Sequence, residues 1–334
     1  MSVPAIVAAG DLRAAKAIYG ESKAYLAVAS RPLVAHIVSV LQAVPEVSEV
    51  WVVGNAERLE GVFDTESRAT LRKPLHIVPQ LRNLFENGWQ TYRRLLPGAP
   101  PEGRDPGPED DLLDVLYVSS DLPFATPQEI SVFIQRSQAR GCDYAMGLVT
   151  EESMESFYPV GPGEPGIRMA YFNTREGRFR QSNLHLIRPA RVGNRHYIEE
   201  MYEHRYQREF GNILKLAWTL LTSERGGLAV VTYYALMHLA SLADRRGWRG
   251  VADRVRGWIP LARLERGVGS LLRCSFGLVI TEAGGCGVDV DNEHDLDVAR
   301  QRYDDWMRMQ EERAAKLYGP ARLGAPTDPG REGA

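Results

Sequence analysis

Short apolar runs recur through the first 120 residues, and that recurrence limits the chain to few architectures. Residues 3 to 9 are apolar and β-compatible, and Val50-Trp51-Val52-Val53 stops abruptly at Gly54. His76-Ile77-Val78 and Val115-Leu116-Tyr117-Val118 repeat the form. Runs this short suit strands buried on both faces. Between them the apolar spacing turns helical, over 83 to 96 and over 31 to 44, where Leu33, Ile37, Val40, Leu41 and Val44 recur at helical intervals. Alternating strands and helices predict an α/β fold, a mostly parallel sheet flanked by helices in the Rossmann-like manner. With 334 residues the chain can build one large domain or two ordinary ones.

Other stretches break the alternation. "PGAPPEGRDPGPEDD", residues 97 to 111, reads as a surface loop or disordered insertion, and 108 to 114 as a solvated loop edge. Residues 168 to 188 alternate around Arg175-Glu176-Gly177, which predicts a β-hairpin. From about Ile198 to Arg266 the pattern is helical and rich in arginine and aromatic residues. The expected division is an α/β body over 1–150, a hairpin region over 151–197 and a helical insertion over 198–284. The chain then returns to the body with a C-terminal helix over 285–318, leaving a disordered tail over 319–334.

The net charge of -3 argues against nucleic acid as a partner. Cys142, Cys274 and Cys286 lie far apart without a CxxC pair, which suggests a reducing compartment and no zinc site. The N-terminal residues lack the basic head and long apolar stretch of a secretory signal, so a cytoplasmic location is expected.

Three stretches carry residues suited to chemistry, each after an expected strand. The first is Ala8-Ala9-Gly10 followed by Lys23; the second is "YVSSDLPFATPQEI" with Asp121; the third is "GVDVDNEHDLDVA" with Asp289 and Asp291. In open α/β sheets ligands collect at the carboxyl ends of strands, so these loops could meet in one crevice. Taken singly, each has a structural explanation. Asp121 could cap a helix starting near Thr126, and Asp291 or Asn292 one starting near Glu293. His185, His204 and His238 have no partner pattern and read as structural or exposed.

In combination and in order, these stretches resemble the MobA-like NTP transferases, the nucleotidyltransferase superfamily of sugar-phosphate pyrophosphorylase and molybdenum-cofactor guanylyltransferase type. "VAAG…SKAYLAVASRPLVAHIV" looks like its opening signature, "SSDLPF" like its aspartate-and-proline motif, and "DVDNEHDL" like its closing acidic motif. The resemblance implies a GT-A-type fold and Mg²⁺-dependent coupling of an NTP to a phosphorylated small molecule, with release of pyrophosphate. The acceptor would be a sugar, polyol or cofactor phosphate. Asp121 and Asp291 would hold Mg²⁺, since carboxylates are hard oxygen donors, and Asp289 would stand behind them. Lys23 and Arg13 would face the phosphates, which the backbone of residues 9 to 13 would cradle. The resemblance further implies a base near Ala8, Ala9, Gly10, Gln80, Asn87 and Gly88, and an acceptor at Asn183. Analogy with polyol-phosphate cytidylyltransferases favours CTP.

The superfamily usually shows Gly-x-Gly-x-Arg where this chain has Gly10-Asp11-Leu12-Arg13, and Lys23 follows a few residues later than usual. An altered loop geometry is therefore expected. Two alternatives stay open: a catalytically silent nucleotide-binding relative with a regulatory or scaffolding role, and a GT-A glycosyltransferase.

The helical insertion lies outside that pattern. Residues 226 to 243 carry no formal charge, and 245 to 266 carry seven arginines against Asp253 and Glu265. Trp248, Val251, Val255, Trp258 and Ile259 are expected on one helical face. The main expectation is a buried helix followed by an amphipathic one, packed over the site or in a homodimer interface. The competing one is peripheral contact of 245–266 with an anionic membrane, the apolar stretch being a poor transmembrane candidate.

Overall fold

The computed structural model describes residues 2–11, 17–195, 197–198 and 227–321. Strand β1 (Val3–Ala9) is followed by a 3-10 turn at Lys23–Tyr25 and the small hairpin β2 (Ala27–Val28) and β3 (Arg31–Pro32), which leads into α1 (Leu33–Ala43). Next come β4 (Val47–Gly54), α2 (Ala56–Val62), α3 (Thr65–Ala69), β5 (Leu75–Pro79) and α4 (Leu84–Leu95). The second half of the body holds β6 (Val115–Ser119), α5 (Pro127–Arg140), β7 (Tyr144–Thr150) and α6 (Glu151–Met154). Then follow β8 (Phe172–Asn173), β9 (Arg178–Ile187), α7 (Gly227–Arg245), α8 (Arg249–Arg256), α9 (Leu261–Leu272), β10 (Phe276–Thr281) and α10 (Glu293–Tyr318).

The main sheet runs β10-β7-β9-β6-β1-β4-β5, with β8 paired to β9. The sheet is mostly parallel, as expected; β9 runs antiparallel to both β6 and β7. The expected hairpin exists, but its second strand is spliced into the middle of the body sheet. The chain also rejoins that sheet at Phe276, inside the stretch assigned to the helical insertion, rather than from residue 285. "FGLVIT" is another short apolar run of the kind seen in the first 120 residues. The register of β1 with β4 on one side and β6 on the other places the switch of strand order at β1. A crevice opens at such a switch, outside the carboxyl ends of the strands.

Local signals set the ends of the helices that flank this crevice. The Thr126 side chain accepts from Glu129 N, Pro127 occupies the first turn, and Gly141 closes α5 at φ +67°. That conformation is cheap only for glycine. Thr126, not Asp121, is therefore the cap. Asn292 likewise caps α10 by accepting from Asp295 N at 3.1 Å, which leaves the Asp291 carboxylate for other work.

Two cores hold the crevice in shape. One packs α1 and α5 on the strands, with Val7, Ile37, Leu41, Val118 and Phe133 buried. The other joins Phe124 and Phe157 to Trp306 of α10, ring centroids 5.3 and 5.0 Å from the indole. It ties the loop after β6 to the C-terminal helix, and Val290 N donates to Asp121 O across the join at 3.3 Å.

Three expectations need correction or fall away. The 97–111 stretch is a surface loop, one of its two expected forms, but Asp110 departs from the solvated edge expected over 108–114: Arg104 grips it with two bonds of 2.7 and 2.9 Å, and it is 3% exposed. The bidentate pair compensates the buried carboxylate. The five-residue face expected in the insertion is split: Val255 and Ile259 are buried while Trp248, Val251 and Trp258 point outward. Arg13 and His204, with most of the expected tail, lie outside the described residues. No helix among the described residues is long and apolar enough to cross a membrane.

Candidate functional site

Asp121 leaves the end of β6, and Asp289 and Asp291 stand on the loop before α10. One carboxylate oxygen from each lies within 4.8 Å of the other two. Lys23, on the turn after β1, reaches both edges of the cluster: its Nζ is 3.3 Å from Asp121 Oδ2 and 2.5 Å from Asp291 Oδ1. Burial alone would push this ammonium down, but Asp121 and Asp291 outweigh it and Lys23 titrates above its ordinary value. Ser119 Oγ donates to Asp121. Arg180, on β9, bonds Gly287 O at 2.7 Å through Nε and Asp289 through its terminal nitrogen.

Crowding costs the cluster. Burial, and next Asp121 alongside, push the Asp289 carboxyl up to about 6 against the pull of Arg180. Three carboxylates face two cations, so an added divalent ion would relieve repulsion. Three clustered carboxylates are the donor set that oxygen-preferring cations such as Mg²⁺ take. The loop that carries Asp289 and Asp291 is held from behind by Glu129 of α5, a fully buried carboxylate. Its Oε1 accepts from Thr281 Oγ1 at 2.8 Å and Gly284 N at 3.0 Å, and its Oε2 from Cys286 N at 3.1 Å.

The other expected residues gather at the ends of β1 and β5. Gln80 Oε1 accepts from Asp11 N at 2.8 Å while its amide donates to Asp11 Oδ1. Asn87 Oδ1 accepts from Leu81 N at 2.5 Å. A Cβ on Gly10 would sit 3.2 Å from Gln80 Oε1 and 3.6 Å from Asn87 Nδ2, so Gly10, Gln80 and Asn87 adjoin one another. Gly88 lies one residue on, where a Cβ would come 3.1 Å from the Tyr117 ring. Ala8 and Ala9 are the last residues of β1, and Ala8 O accepts from Ser120 N at 3.3 Å. Arg58 adds positive charge beside this loop, 3.5 Å from Asp11, 2.7 Å from Glu21 and stacked 3.7 Å over the Tyr25 ring.

Asn183 stands where the pairing of β9 with β7 slips, between Gln181 and His185, and its φ is +54°. Asparagine tolerates that conformation better than most residues, and such slips re-aim side chains next to functional sites. His185 is enclosed between neighbouring strands. Its ring nitrogens meet Tyr144 OH at 3.0 Å and Gln181 Nε2 at 3.1 Å, and burial pushes it down to about 4.

No protein-family model matches this sequence, and no curated protein is significantly similar to it. Solved structures do resemble it. The chain has the fold of a hypothetical transferase from Thermus thermophilus. The two are 21% identical with a TM-score of 0.58, over 89% of this chain and 100% of the other. A looser likeness is to a CMP:2-keto-3-deoxy-manno-octonic acid synthetase complexed with CTP: 12% identity and TM-score 0.46, over 91% of this chain and 99% of that one. Another is to a 4-diphosphocytidyl-2C-methyl-D-erythritol synthase from Anaerococcus prevotii: 10% identity and TM-score 0.44, over 91% and 96%.

Sequence reading missed Arg180, Glu129 and Arg58. Arg180 stands three residues before Asn183 in "RFRQSN", and Glu129 sits in the first turn of α5, where a glutamate is unremarked. Neither carries a local signal, because each acts on a loop more than 100 residues away in sequence.

Proposed function

We propose that this chain is a nucleotidyltransferase that couples an NTP to a phosphorylated small molecule and releases pyrophosphate. The observation that carries the reading is the cluster of Asp121, Asp289 and Asp291 with Lys23 in its edge, at the crevice where strand order switches. In the proposed reaction a phosphate oxygen of the acceptor attacks the α-phosphorus of the NTP. The bond from that phosphorus to the bridging oxygen breaks, and its electron pair leaves with pyrophosphate. The acceptor brings its own nucleophile, so the protein has only to align the partners and balance charge.

Asp121 and Asp291 are the residues proposed to hold Mg²⁺, with Asp289 beside them. When bound there the ion neutralises phosphate charge and polarises the reacting phosphorus. Lys23 stays protonated through the neutral range and offers a fixed positive charge to the phosphates. Gln80, Asn87 and Gly88 frame the nucleoside beside Ala8, Ala9 and Gly10, and Asn183 offers an amide to the acceptor. Cytosine is the proposed base, carried over from the resemblance to polyol-phosphate cytidylyltransferases.

One observation favours a second reading, a silent nucleotide binder. Asp11 occupies the loop where relatives have glycine-rich backbone, and its N–H is already engaged by Gln80. A phosphate cradle needs such donors free. Pyrophosphate release measured with Mg²⁺ across the four NTPs, each with sugar, polyol and cofactor phosphates, separates the two. Release from one NTP–acceptor pair supports transfer. Tight nucleotide binding with no release from any pair supports the silent binder.

A further inference from the structure

The helices α7 and α8 leave apolar surface outside while their inner sides are already filled. Ala240, Val255 and Ile259 are buried together, with Tyr233, Leu236, Met237 and Leu264 packed against them. Leu239, Leu242, Trp248, Val251 and Trp258 face outward, each between 45% and 55% exposed. Among the described residues these five are nearly half of the exposed large apolar side chains, gathered within one stretch of twenty residues. Trp248, Val251 and Trp258, placed before, within and just after α8, are all exposed, and the chain turns on past the helix through the bond from Trp258 N to Val255 O. The unit is firmly mounted: Arg175 N donates to Ile259 O at 3.0 Å and Leu261 N to Glu176 at 2.9 Å.

Among the described side chains of this region, the charge left unpaired is positive. Asp253 is consumed by Arg256 at 2.6 Å, and Glu265 by Arg140 and by Leu278 N at 2.8 Å. Arg249, Arg254, Arg263 and Arg266 are exposed and have no carboxylate partner among the described residues. The Arg246 guanidinium lies 5.5 Å over the Trp248 ring. Indoles beside arginines match the headgroup region of an anionic bilayer, where the rings sit at the interface and the guanidiniums meet lipid phosphates. Leu239, Leu242 and Val251 separate this from a nucleic-acid surface, because phosphates and sugars offer aliphatic side chains nothing.

We propose that the outer face of α7 and α8 docks on anionic lipid bilayers. The proposal does not depend on the proposed reaction, and Trp248 and Trp258 have no part in that site. The test is sedimentation of the full chain with phosphatidylcholine vesicles, with and without about 30% phosphatidylglycerol. The expected result is pelleting with the anionic vesicles only, reduced at least about fivefold when salt rises to roughly 0.5 M. Trp248→Ala with Trp258→Ala should cut the partition coefficient about tenfold or more, and Arg249→Gln with Arg254→Gln should do the same. All four side chains are exposed, so unchanged melting temperatures will confirm that the variants fold. Protein left in the supernatant at low salt overturns the proposal, as does pelleting that both variants retain. A dimer of the free protein that the tryptophan pair dissolves also overturns it, since the face would then join two copies.

Discussion

Asp121 is 6% exposed and has two carboxylates and one ammonium within reach, which is an expensive arrangement for a structural role. Buried carboxylates are normally neutralised one by one, as Arg104 does for Asp110. Here the negative charges are pooled. If Asp121 and Asp291 share a cation, Asp121→Asn or Asp291→Asn should slow turnover by about a hundredfold or more. That corresponds to roughly 3 kcal/mol of lost transition-state stabilisation. Single-turnover assays on folded variants check it, and near-normal rates from the double variant would remove the shared ion. Lys23→Ala should lower kcat more than it raises KM, because phosphate charge shifts during transfer. A raised KM with unchanged kcat would assign Lys23 to ground-state binding.

Elements matter to the site through their ends. Thr126 and Asn292 cap α5 and α10, and in doing so keep Asp121 and Asp291 out of capping duty. The C-terminal end of α1 is closed by an unusual group, Lys73, which is 5% exposed and donates to Leu41 O at 3.1 Å and to Val44 O. Burial pushes this amine down to about 8, with Glu46 resisting. Its folded pKa lies below the unfolded value of about 10.4, so the charged form is a cost in the native state. That cost is complete below pH 8 and is relieved as pH rises from about 8 to about 10.4, where the unfolded chain still holds the proton. Relative to Lys73→Met, the wild-type protein should therefore gain about 2 kcal/mol between about pH 7.5 and about pH 9.5. Urea unfolding of both proteins at the two pH values measures the difference. A gap that stays constant would show that Lys73 titrates normally.

At the scale of the whole molecule, the site exists only when distant segments meet. Lys23 is 98 residues from Asp121 and 268 from Asp291. A ligand that bridges those loops should stabilise the entire fold, since it binds the native state alone. Mg²⁺ with CTP at roughly a hundredfold saturation should raise the melting temperature by at least about 3 °C. Asp121→Asn should abolish the part that depends on Mg²⁺. A larger rise with ATP or GTP would reverse the proposed base preference.

Much of this was legible locally. Apolar runs and helical spacing depend on neighbouring residues, so the α/β order, the strands through residue 118 and the hairpin could be read directly. Lys23, Asp121 and Asp291 stood out only jointly, through the resemblance that their three stretches carry in order, and not through any local signal of their own. What the amino-acid order by itself determined was therefore a mostly parallel α/β body with acidic and basic groups at the ends of its strands. Only the tertiary structure decided that β9 enters the sheet antiparallel, that β10 closes its edge, and that Asp289 joins the other two carboxylates. It also decided that Arg180 and Glu129 hold the acidic loop, that Asp110 is buried, and that Trp248 and Trp258 point outward. The physical reason is range: a strand announces itself through its own side chains, whereas a partner across the sheet is set by packing between segments more than 100 residues apart.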